Sequence, residues 1–158
     1  GEPVRTDTIF FEDHMEMLDK VRSVGITVEI NPKKCGRDSN TYGWYNGAYK
    51  QLVICQVKGI PGNGVVAWTY EDLNTIRHEA HHMVQDCMDS RLDGRLGTLY
   101  EDAVVLIQEE LSLTMIQSII NTYSDYDEHR QFMELEAFAV AGMNSPSEQL
   151  SDIQTYCL

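Results

Sequence analysis

Apolar positions along the chain switch between a helical and an alternating period, and the switches mark out the elements. Phe11, Met15, Leu18 and Val21 recur at spacings of four and three, with Thr6, Asp7 and Thr8 available as caps, which predicts an amphipathic helix over residues 8–23. Gly25 ends it, and Ile26, Val28 and Ile30 then alternate with polar neighbours up to Asn31-Pro32, as in a half-buried strand entering a turn. A polar loop is expected over residues 33–40. Residues 42–45 and 50–55 flank Asn46-Gly47, a dipeptide suited to tight turns, so they read as a hairpin.

The second half of the chain reads as helical. Thr69-Tyr70-Glu71-Asp72 fits a capping box, and Leu73, Ile76, Ala80, Met83 and Val84 follow at helical spacing, giving a helix from about Tyr70 to Met88. Thr98-Leu99-Tyr100-Glu101 has the form of a second box, and Val104, Ile107, Leu111, Met115 and Ile119 extend it as one long helix to Asn121. Ser124 or Asp125 is placed to cap a further helix ended by Gly142, and a short C-terminal helix follows Pro146. The expected class is α+β: a small, mostly antiparallel sheet packed on the helix of residues 70–88 and on further helices.

With 158 residues and no linker or repeat, one domain spanning 1–158 is expected. Twelve basic against 25 acidic residues leave a net charge of −13, which opposes nucleic-acid phosphates and anionic lipid surfaces as partners. No apolar run approaches the ~20 residues that span a bilayer, and residues 1–25 lack a basic segment followed by an apolar one, so the chain reads as soluble. Cys35, Cys55, Cys87 and Cys157 show no CxxC spacing, which argues against a cysteine-based structural zinc site. Two disulfides are permitted, with Cys55 and Cys87 a pair that the predicted packing can bring together, and buried free thiols are the equal alternative.

Chemistry concentrates in His78-Glu79-Ala80-His81-His82, an HExxH sequence inside the second predicted helix. Positions four apart differ by about 40° of rotation, so His78 and His82 can aim their imidazoles at one cation, while Glu79 leaves the helix about 100° round and can act as a general base on water. A catalytic zinc takes three protein ligands, so a third is needed. His14, His129, Glu134 and Glu136 are the candidates. Glu134 follows Arg130 by four residues and reads as a salt-bridged side chain. Glu136 has Phe132, Met133, Ala139, Val140 and Met143 around it at helical contact positions, so it projects from the apolar face, where a cation would compensate its charge. Glu136 is therefore the expected ligand. His129, Tyr45, Tyr100, Tyr123 and Tyr126 are possible donors to a substrate oxygen, and Asp86 could orient an imidazole.

This combination resembles zincin metallopeptidases of the gluzincin type, in which an HExxH helix gives two ligands and a later helix a glutamate. Glu134-Leu135-Glu136-Ala137-Phe138-Ala139, followed by Met143 and Pro146, is similar to the ExEAxxFA segment of ImmA/IrrE-like metallopeptidases. The resemblance implies a zincin-like fold, Zn2+ held by His78, His82 and Glu136, Glu79 as catalytic base, and a protein or peptide substrate cleaved by hydrolysis. It departs from that pattern at His81, where glycine is usual, at Phe138, where asparagine is usual, and in the helix predicted between the two segments. The rival expectation keeps fold and metal but assigns a binding or assembly role.

Overall fold

The computed structural model describes residues 9–36, 41–88, 92, 94–100, 102–143 and 146–158. Helix α1 (Ile9–Ser23) leads into strand β1 (Thr27–Ile30), and β2 (Gly43–Asn46) and β3 (Gln51–Ile54) follow. The remaining elements are helices α2 (Tyr70–Cys87), α3 (Ala103–Glu110), α4 (Leu113–Thr122), α5 (Glu128–Gly142) and α6 (Pro146–Cys157). The class is α+β, as the periodicity predicts.

The sheet is mixed, with β3 in the middle of the order β1-β3-β2. β1 runs parallel to β3 with Val28 opposite Leu52, and β2 runs antiparallel with Trp44 opposite Val53, so antiparallel pairing covers one of its two ladders. Because successive side chains of a strand point to opposite faces, Leu52 and Ile54 enter the main core while Val53 and Cys55 meet Cys35 and Trp44 on the other side. The hairpin expected at Asn46-Gly47 is present. Gly47 is required there by close approach: a Cβ would collide with the Asp86 carboxylate and the Gly94 backbone.

Helix α2 is the centre of the molecule and packs against α1, α5, α6, β2 and β3. Leu73, Ile76, Ala80, Met83 and Val84 join Met17, Leu18 and Val21 of α1 and Ile153 of α6 in one core. Its start is fixed as the sequence indicates. Thr69 Oγ1 accepts from the Asp72 N–H at 3.2 Å and the Asp72 carboxylate accepts from the Thr69 N–H at 2.9 Å. The other Asp72 oxygen accepts from the Val57 N–H at 2.9 Å, which pins the loop before the helix to its first turn.

The helix expected from Thr98 to Asn121 is two helices. Leu111 is extended (φ −114°, ψ 135°), and the Ser112 hydroxyl accepts from the Met115 N–H, so Ser112 caps a new helix. The axes of α3 and α4 differ by 112°. This bend lets Ile107, Leu111 and Ile119 close together on Leu135 and Ala139 of α5 as a second core. Thr98, Leu99 and Tyr100 stand outside any helix, and Glu101 lies outside the described residues. The α5 cap is Asp127, whose carboxylate accepts from the Arg130 N–H at 2.8 Å, rather than Ser124 or Asp125. Among the described residues no single helix is long and apolar enough to cross a membrane.

The disulfides are Cys35–Cys55 and Cys87–Cys157, which corrects the expected Cys55–Cys87 pairing. Cys55 points to the face of β3 turned away from α2, whereas Cys87 meets α6 where that helix returns across α2. The second bridge closes a separation of 70 residues and staples the C-terminus to the end of the HExxH helix. Cys157→Ser should lower stability by about 2–4 kcal/mol, read as a reduced urea midpoint against the oxidised wild type. A midpoint unchanged by the substitution would show that the bridge does not constrain the chain.

Candidate metal centre

One turn of α2 separates His78 from His82, and both rings are buried, with centroids 4.8 Å apart and nearly perpendicular planes. Facing them from α5 is Glu134. Its Oε2 is 3.1 Å from His78 Nε2 and its Oε1 is 2.8 Å from His82 Nε2. One ligand atom from each residue lies within 4.8 Å of the others, a set able to hold a metal ion. Tetrahedral ligands at ~2.0–2.1 Å from a cation stand roughly 3.3 Å apart, so shifts of a few tenths of an ångström would admit one. The donor chemistry also fits: His82 Nε2 is buried and, despite its nearness to the carboxylate, lacks hydrogen-bond geometry to it.

Surrounding groups hold each donor. Burial alone would raise the Glu134 carboxyl, but the imidazoles of His78 and His82 outweigh it and keep it well below the ordinary carboxylate range. Arg130, one turn earlier, donates to Glu134 Oε1 at 3.1 Å and lies over the Tyr126 ring at 5.7 Å. Burial, with the nearby Glu134 and Glu79 charges adding to it, shifts the Tyr123 phenol upward. Phe138 packs its ring on His78 at 4.3 Å. Gln85 Oε1 lies 2.7 Å from His82 Nδ1.

Glu79 is buried beside this set, and the Tyr45 backbone N–H donates to its carboxylate. Burial, with the nearby Glu134 charge adding to it, pushes its carboxyl up to about 7. His78, Glu79 and Glu134 open onto a cleft of about 1110 Å³ whose walls include Tyr42, Gly43, Trp44 and Tyr45 of the β2 region and Tyr123, Tyr126 and Arg130 of the α4–α5 region. Gly43 allows β2 to lie close over α2, since a Cβ there would come within 2.8 Å of Thr75 Cγ2 and 2.6 Å of the Val53 carbonyl.

A family model described as a domain of unknown function (DUF8637) matches residues 8–158. The chain belongs to this family. No curated protein and no solved structure matches it.

The glutamate that the fold brings to His78 and His82 differs from the expected one. The carboxylate brought to His78 and His82 is Glu134, whereas Glu136 meets His81 Nε2 at 2.7 Å, Gln85 Nε2 at 3.1 Å and the Leu99 N–H at 3.2 Å. The apolar neighbours of Glu136 could not discriminate, because α5 is buried on every side through its middle, from Met133 to Ala137. Glu134 has the same signature in the forward direction, with Ala137, Phe138 and Ala141 at its helical contact positions. Its pairing with Arg130, read as a surface feature, coexists with near-complete burial.

Other candidates separate clearly. His14 is buried against Arg77, whose guanidinium reaches His14 Nε2 at 2.7 Å, and His129 is exposed and bonded to the Leu96 carbonyl. Asp86, a candidate to orient an imidazole, is fully buried and instead accepts from Tyr45 Oη at 2.6 Å and the Gly94 N–H at 2.9 Å. Tyr100 stacks on His81 instead of entering the cleft. His81 is buried, and burial outweighs its carboxylate neighbour to hold it neutral more readily than usual, so its contact with Glu136 is a hydrogen bond to an anion rather than an ion pair.

The Glu79 shift has a thermodynamic sign. Its carboxyl sits at about 7 in the fold against about 4.3 for an unfolded glutamate, so the stability it contributes is complete below about pH 4.3 and lost as pH rises through 7. In metal-free protein, Glu79→Gln should equal wild type near pH 4 and exceed it near pH 8 by about 3–4 kcal/mol. Urea unfolding at the two pH values checks this. A stability difference independent of pH would contradict it.

Proposed function

We propose that this chain is a zinc-dependent metallopeptidase, with His78, His82 and Glu134 as ligands and Glu79 as general base. The observation that carries the reading is the position of Glu79: it is next to a buried two-imidazole, one-carboxylate set and faces the same cleft. Two histidines and a carboxylate also serve iron oxygenases, but a base on the residue following the first histidine suits metal-assisted hydrolysis. Zinc bound there supplies a Lewis acid that polarises a carbonyl and acidifies a water.

The chain's own residues supply the rest. Glu79, with its carboxyl near 7, takes the proton of the attacking water and delivers it to the departing amine. Tyr123 and Arg130, both on the cleft wall, donate to the carbonyl oxygen as it gains charge. β2 is a sheet edge. The Cys55 N–H bonds the Tyr42 carbonyl, so in the alternating antiparallel pattern the backbone groups of Gly43 point away from β3. An extended peptide can pair with that edge and bring its carbonyl over Glu79.

Elemental analysis should find one zinc per wild-type chain and none in Glu134→Ala. Glu79→Gln should retain the zinc and lose cleavage of a diverse peptide library by about 10²–10⁴-fold. Zinc-loaded wild type that cleaves no library member would remove the hydrolytic assignment and leave the binding role in its place.

A further inference from the structure

Neither His81 nor Glu136 has a part in the chemistry above, yet both are fully enclosed and bonded to each other. Around the Glu136 carboxylate, donors come from His81 Nε2 at 2.7 Å, the Leu99 N–H at 3.2 Å to either oxygen, and Gln85 Nε2 at 3.1 Å. The second acceptor of Gln85 Nε2 is the Met133 carbonyl, at 3.1 Å.

The Gln85 amide can therefore face only one way. Both N–H groups have acceptors, and the reversed amide would set its oxygen against a carboxylate oxygen and a backbone carbonyl. Its Oε1 must point at His82 Nδ1, 2.7 Å away. An amide oxygen only accepts, so the proton of that contact belongs to Nδ1, and Nε2 is the nitrogen left facing Glu134. His78 has no matching device, for its buried Nδ1 lacks a hydrogen-bond partner and its ring rests on Phe138.

We infer that Gln85, its amide locked by Glu136 and the Met133 carbonyl, is a positioning residue that keeps the His82 proton on Nδ1 and presents Nε2 to the cation. His81 and the Leu99 N–H hold Glu136 in place for that task. This rests on the metal-centre reading and deepens it, assigning a role to the extra histidine of His78-Glu79-Ala80-His81-His82 and to the second glutamate of α5. A ligand imidazole donating its other N–H is a common arrangement at metal sites, and loss of such a partner typically costs 10–100-fold in affinity.

The test joins nitrogen-resolved histidine NMR of the metal-free protein with zinc titration against a competing chelator. In wild type, His82 Nδ1 should be protonated, with that proton protected from solvent exchange. Gln85→Leu should lose the protection and bind zinc about 10–100-fold more weakly, with cooperative unfolding retained. Wild type with a bare Nδ1 overturns the inference, as does Gln85→Leu with unaltered zinc affinity and His82 signals. Wild type that binds no zinc removes the metal-centre reading, while the Nδ1 measurement still decides whether Gln85 sets the proton position. If Gln85→Leu fails to fold, the wild-type Nδ1 state decides alone.

Discussion

Two carboxylates buried two residues apart on one helix set the constraint that the rest of this molecule satisfies. An unmatched charge at such depth costs several kcal/mol, so Glu134 and Glu136 can remain ionised only if donors converge on each. α2 provides them from successive positions of a single segment. His78 and His82 turn towards Glu134, while His81 and Gln85 turn towards Glu136. The contact between α2 and α5 is thus specified by polar matching as well as by apolar packing, and a rotation of either helix would leave two anions uncompensated.

Such matching needs α2 to be held in position at both ends. The reciprocal capping bonds between Thr69 and Asp72 fix its start, and the Asp72 bond to the Val57 N–H joins that start to the segment after β3. The Cys87–Cys157 bridge fixes its end to α6. Between these anchors Asp86 reaches the hairpin through Tyr45 and the following loop through Gly94, so the sheet edge and the helix carrying the proposed base move as one unit. Geometry at a site is most reproducible when it rests on elements locked this way.

Local signals in the sequence were legible where one physical cause dominates. The α2 cap, the HExxH register and the hairpin around Asn46-Gly47 each depend on residues a few positions apart, and the structure bears them out. The missed features depend on contacts between distant segments. Choosing between Glu134 and Glu136 required knowing that α5 lies between α2 and the α3–α4 pair, which removes the single apolar face on which the sequence argument relied. Cysteine pairing is likewise topological. The break at Ser112 was locally readable as a cap, but an unbroken apolar period through Leu111, Met115 and Ile119 hid it, and only the second core explains why the chain turns there.

The two glutamates differ in a way that bears on how the centre can gain and lose a cation. The oxygens of Glu134 meet two imidazole nitrogens that are themselves potential ligands, together with Arg130 and Tyr123 approaching from the cleft. With no cation between them, carboxylate and imidazoles stand against one another with little unmatched charge. Glu136 has less freedom, because its partners are a part-buried backbone N–H, a buried amide and a buried imidazole, none of them part of the His78–His82–Glu134 set. One carboxylate is poised to exchange its partners and the other is fixed. Gln85 lies between them, bonded to the fixed anion on one side and to an imidazole of the exchangeable set on the other, so the rigidity of the inner pair is transmitted to the outer one through a single amide.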